Sequence, residues 1–109
     1  MNPPLHSNDD EATIGQSITL DEAKAWTATY QHDNPDKLRS VYFSNSVFTE
    51  LMAQPNTKGI RIYLANNGST DTMVLVSANS TTDLVEDGYK VFNGGLLTPP
   101  NHVDSPLQH

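Results

Sequence analysis

The chain has 109 residues, a formal net charge of -7 and no cysteine. That length predicts a single domain. The charge disfavours nucleic-acid phosphates or an anionic membrane as partners, because both need a basic patch, and the lack of thiols excludes disulfides, cysteine nucleophiles and cysteine metal sites.

The hydrophobic fraction of 36% is below that of an average globular chain, which predicts that part of the length is tail. Residues 1–17 and 94–109 hold most of the prolines and few large apolar side chains, so they read as a flexible acidic arm and a Pro-rich extended tail. The foldable part, 18–93, is then close to the size at which one core contributes only a few kcal/mol. No apolar run is long enough to cross a bilayer, and the first residues lack the basic and apolar regions of a secretion signal, so the expectation is a soluble, cytoplasmic protein.

The charge is unevenly spread. Asp9, Asp10, Glu11, Asp21 and Glu22 precede any base, and Asp71, Asp83, Glu86 and Asp87 form a second acidic region. Lys24, Lys37, Arg39, Lys58 and Arg61 lie between them. Such a field favours a basic protein as partner, although solubility alone accounts for the same composition.

At Thr19 the character of the chain changes. Thr19-Leu20-Asp21-Glu22 is a capping box, with two carboxylates where the helix dipole favours them, so a helix starts at Leu20. Leu20, Ala23, Trp26 or Thr27, and Tyr30 form its apolar stripe, and Gln31 to Asn34 end it before Pro35. Trp26 and Tyr30 are expected to be core aromatics packed on a sheet. Ser40 to Ser44 has the composition of a short strand. Ser44 or Ser46 then caps a second helix carrying Val47, Phe48, Leu51 and Met52 at helical spacing and ended by Pro55.

The clearest local signal is the stretch from Gly59 to Ser77, two alternating apolar strands joined by Asn66 to Asp71. A minimal Asn-Gly turn would set Leu64 against Asp71. A loop two residues longer sets Leu64 against Met73, Tyr63 against Val74 and Ile62 against Leu75, and this register is preferred because it keeps like faces together. One face is aliphatic. The other carries Arg61, Tyr63, Val74 and Val76, which predicts that another part of the chain, a ligand or a partner covers it. Further on, Tyr89 to Phe92 is a candidate third strand broken by Asn93-Gly94-Gly95, and from Leu96 the chain is expected to be extended, with Leu96, Leu97 and Val103 as the residues through which it could lie on the domain.

No motif for chemistry emerges. His6, His32, His102 and His109 lack zinc-site spacing, His102 with Asp104 being the nearest to a ligand pair, and neither oxygen-rich loop matches a calcium-binding pattern. There is no nucleophile elbow and no phosphate-binding loop. The expectation is therefore no metal, no cofactor and no assigned catalytic residue. The residue types best suited to a partner or ligand site are Arg61 and Tyr63, with Trp26 as a third, while the structural alternative for Arg61 is an arginine stem laid over the sheet.

The capped helix with Ala23 and Trp26, the helix end Leu51-Met52-Ala53-Gln54, the strand Gly59-Ile60-Arg61-Ile62-Tyr63, its partner Val74-Leu75-Val76 and the closing Pro99-Pro100 together resemble a group of short, functionally uncharacterised bacterial proteins. The likeness spans most of 18–102. In that group the proline pair is often flanked by cysteines as C-P-P-x-C; here those places hold Thr98 and His102, so a metal or disulfide role carried by them does not transfer. The resemblance supports the domain limits and implies no activity.

The reading is an α+β domain, two helices packed on a small antiparallel sheet centred on the hairpin. The leading functional expectation is a non-enzymatic protein-binding module of accessory, antitoxin-like or immunity-like type. The alternatives are a small-ligand binder or enzyme with a pocket between helix and sheet near Trp26, Arg61 and Tyr63, and a self-associating structural protein.

Overall fold

A computed structural model describes residues 13–109. The part of the predicted arm before Thr13, with His6, Asp9, Asp10 and Glu11, lies outside the described residues; residues 13–17 carry no regular structure. The architecture is α+β. In chain order it comprises α1 (Leu20–Asp33), β1 (Ser40–Tyr42), α2 (Asn45–Ala53), β2 (Gly59–Asn66), β3 (Asp71–Ala78), β4 (Val91–Phe92) and β5 (Leu96–Thr98). Two antiparallel sheets form, β2-β3-β4 and β1-β5.

The start of α1 follows from its capping box. Thr19 Oγ1 accepts from the Glu22 amide at 3.0 Å, and the Thr19 amide donates to Glu22 Oε1 at 3.1 Å. This bond from the backbone holds the Glu22 carboxyl below its ordinary pKa, since it favours the ionised form. Asn34 closes the other end, its amide reaching Tyr30 O at 2.9 Å ahead of Pro35.

The hairpin takes the expected register: Leu64 opposes Met73, Tyr63 opposes Val74 and Ile62 opposes Leu75. The loop residues stabilise themselves. Asn66 Oδ1 accepts from the Gly68 amide at 2.8 Å, and Asn67 Oδ1 accepts from the amides of Ser69 and Thr70. Gly68 has a φ of 104°, a conformation that a side chain would penalise.

β3 is the central strand, buried on both faces, through Leu75 and Ser77 on one and Thr72, Val76 and Ala78 on the other. α2 lies against β2 and β3. Leu51, fully buried, places its carbonyl over Ser77, whose Oγ donates to it at 2.7 Å. Gln54 Nε2 donates to the same Ser77 Oγ at 2.7 Å, and Gln54 Oε1 accepts from the Lys90 amide at 2.6 Å. One glutamine just past the helix end thus ties α2 to β3 and to the segment entering β4.

The C-terminal segment is extended and docked on the domain rather than flexible. Residues 94–109 are not a loose tail: β5 pairs with β1, Thr98 is buried, and Thr98 O accepts from the Arg39 amide at 2.7 Å. Gly95 permits this approach, because a Cβ there would lie 2.8 Å from Tyr42 O and against the Val41 side chain. Farther on, Gln31 Nε2 donates to Leu107 O at 2.9 Å and Gln31 Oε1 accepts from the His109 amide at 2.8 Å.

This docking corrects the reading of α1. Trp26 and Tyr30, expected in the core, are 58% and 48% exposed, while Gln31 is buried and Ala23 and Thr27 are half-buried. The buried stripe is Ala23, Thr27 and Gln31, at four-residue spacing. Its polarity has a reason: the chain lying on it presents a backbone carbonyl and amide that need partners, and an amide side chain supplies both a donor and an acceptor. Gln31→Ala is expected to raise amide exchange at Leu107 to His109 several-fold while leaving protection in β3 unchanged. Unaltered exchange at Leu107 and His109 would mean that the glutamine does not hold the segment.

Candidate functional site

Arg61 and Tyr63 project from the same face of β2 because they are two residues apart on a strand. Both converge on Asp83. The Arg61 guanidinium makes an ion pair through Nη1 with Asp83 Oδ1, and Nη2 donates to Asn79 O at 2.8 Å. Tyr63 Oη donates to Asp83 Oδ2 at 2.5 Å.

The turn after β3 presents the carboxylate. Asn79 Oδ1 accepts from the amides of Thr81 and Thr82, the Asn79 amide donates to Thr82 O at 2.9 Å, and Asp83 bridges back to Ala78. Leu84 is buried beside it, its amide bonded to Ser77 O at 2.9 Å. Asn67 and Asn79, each the first residue of an N-x-S/T tripeptide, are both turn-forming residues in the fold.

The electrostatics follow from this geometry. Asp83 is held below the ordinary carboxylate range, first by the Tyr63 hydrogen bond and then by Arg61, against burial, which acts the other way. Tyr63 is raised above the ordinary phenol value, first because its proton is shared with Asp83. Both oxygens of Asp83 are occupied and the phenol is harder to ionise than usual, so the cluster is poorly suited to proton transfer near neutral pH. It acts as a lock between β2 and the turn at 79–83.

Trp26 does not join this cluster. It sits on α1, away from the elements that pack on the hairpin sheet, with its ring exposed. Neither of two large grooves joins Trp26, Arg61 and Tyr63. An open groove of about 590 Å³ runs between Tyr30, the segment Lys37-Leu38-Arg39 and the hairpin tip at Leu64 and Met73. A second groove of about 680 Å³ lies along Lys58 to Ile62, with Ile14 and Asn79 in its wall.

The other notable surface is the outer side of β2. β2 is an edge strand of eight residues, and no described residue pairs with that edge. The Asn67 amide donates to Thr70 O at 3.1 Å, which marks 67/70 as a hydrogen-bonded pair. By antiparallel alternation Gly59, Arg61, Tyr63 and Ala65 bond to β3, and the peptide groups of Ile60, Ile62 and Leu64 face outward. Ser77 O, on the opposite side of β3, accepts from Leu84, as the same alternation requires. Ile62 and Leu64 are 53% and 81% exposed.

His102 and Asp104 do pair, at 2.9 Å, in full exposure. Among the described residues no group of three or more potential ligands could hold a metal ion, and no helix is long and apolar enough to cross a membrane. The sequence reading missed Asp83, Asn79 and Arg39. An acid-bearing turn after β3 was legible, but its distance of about twenty residues from Arg61 along the chain hid the contact. No family model, no curated protein and no solved structure matches this chain.

Proposed function

We propose that this protein is a non-enzymatic binding module that accepts an extended segment of a basic partner protein along the outer edge of β2. The observation that carries the reading is an edge that no described residue pairs with: outward peptide groups at Ile60, Ile62 and Leu64 beside exposed aliphatic side chains. Backbone bonds along such an edge supply affinity and the alternate side chains supply selectivity. Exposed edges without a partner are otherwise blunted by charge, proline or bulges, and β2 carries none of these between Ile62 and Ala65.

The net charge of -7 favours a basic occupant over a second copy, since two copies repel one another and a basic chain is drawn in. Ile62→Pro removes an outward amide without touching the bonds to β3, a position where an edge strand tolerates proline. Ile62→Ala removes the side chain alone. Wild-type protein is expected to recover one stoichiometric basic protein from host lysate at low salt, with loss at high salt and with Ile62→Pro, and partial retention with Ile62→Ala. Recovery of the bait alone, a partner indifferent to Ile62→Pro, or a defined oligomer of the purified chain by light scattering would overturn the reading.

A further inference from the structure

We propose that the groove between the end of α1, residues 37–39 and the hairpin tip is a binding site for an amphipathic carboxylate, a single anionic head on a hydrocarbon body. In a chain with more than twice as many acids as bases, Lys37 and Arg39 both line the groove, and among the described residues neither side chain has an ion pair or hydrogen bond. Arg39 Nε is buried without a partner among the described residues. Nε itself is closed off from the groove, so it is the outer N–H groups of the guanidinium that are placed to meet an anion. A guanidinium beside an ammonium suits a carboxylate, which it can engage through two parallel bonds.

The remainder of the wall selects the body of the ligand. The Tyr30 ring, Leu38, Leu64 and Met73 line the groove, which accounts for an aliphatic side chain as exposed as Leu64 at the tip of a hairpin. At about 590 Å³ the space lies within the range of small-molecule sites and far exceeds what an inorganic ion fills. Carboxylates limit the charge. Asp71 also lines the groove, bonded to Asn66 Nδ2 at 3.0 Å, and Asp36 lies with Asp71 in the wall of an adjoining depression. A dianion such as phosphate is repelled by Asp71 more strongly than a monoanion is. The groove shares Leu64 with the β2 edge, but Lys37 and Arg39 lie off that edge, so substitutions there test this site without touching the edge.

The test uses the full chain, titrated with sodium octanoate and followed by amide chemical shifts, with octylammonium chloride and inorganic phosphate as controls. Octanoate is expected to bind saturably with shifts at Arg39, Leu64 and Met73, and both controls to leave those residues unmoved. Loss of one charge-assisted contact in Arg39→Gln corresponds to about tenfold weaker binding. Lys37→Gln, at an exposed position that leaves the fold intact, is expected to weaken binding in the same direction. Absence of saturable octanoate binding, equal binding of octylammonium or phosphate, shifts confined to Ile14 and Ile60, or unchanged affinity in both variants would each overturn the proposal.

Discussion

Leu51→Ala is expected to destabilise the protein by about 2–5 kcal/mol, the range for truncating a fully buried leucine. The residue is completely enclosed, on the face of α2 that meets β2 and β3, and its carbonyl anchors the Ser77 hydroxyl at 2.7 Å. Truncation leaves a cavity beside that bond and beside the Gln54 contact to the same hydroxyl. Over the roughly 90 residues from Leu20 to His109 the reserve is on the order of 5–10 kcal/mol, so the variant is expected to lose a large share of its stability. Met52, the next residue and 59% exposed, is the control, and Met52→Ala should stay within about 0.5 kcal/mol of wild type. Urea midpoints for the two variants decide the matter. Similar midpoints would mean that α2 is not held by Leu51 and that the core lies elsewhere.

Asp83→Asn is expected to lower stability at neutral pH and to change how stability depends on pH. Because the folded Asp83 carboxyl lies below its unfolded value, its contribution is complete above about pH 4, the unfolded range, and is lost as pH falls through the lowered folded value. Tyr63 works in the opposite sense. Its raised phenol contributes below its unfolded value near pH 10 and loses that contribution as pH climbs through the raised one. The gap between wild type and Asp83→Asn should therefore be widest near pH 7, narrower at pH 3 and narrower again above pH 10. An asparagine can still accept from Tyr63 but turns an amide donor toward Arg61, leaving the guanidinium with Asn79 O alone. Denaturation midpoints at the three pH values measure the gap. Parallel curves would show that the triad is not coupled to folding.

Elements governed by neighbours in sequence were legible before the fold was known. The α1 start rests on atoms three residues apart, Thr19 and Glu22, and the hairpin register rests on alternation plus a loop whose asparagines bond to their own backbone. α2 and its end at Pro55 were legible for the same reason. The side of α1 that turns inward was not. Trp26 and Tyr30 are the stronger hydrophobes, but the element that reaches α1 is the C-terminal segment, and its Leu107 carbonyl and His109 amide select Gln31.

The candidate sites divide in the same way. Arg61 and Tyr63 were marked as a pair by strand alternation, and they do act together, yet the carboxylate that joins them arrives from a turn beyond β3. Arg39 was unremarkable in the sequence; only the fold encloses its Nε without a partner among the described residues. Short-range periodicity and capping chemistry determined which segments are helix and strand, because those preferences are set within a few residues. Which faces are covered, which edge of β2 is open and which cations remain unpaired depended on contacts between segments distant in the chain, and only tertiary packing decides whether a buried polar group meets a partner.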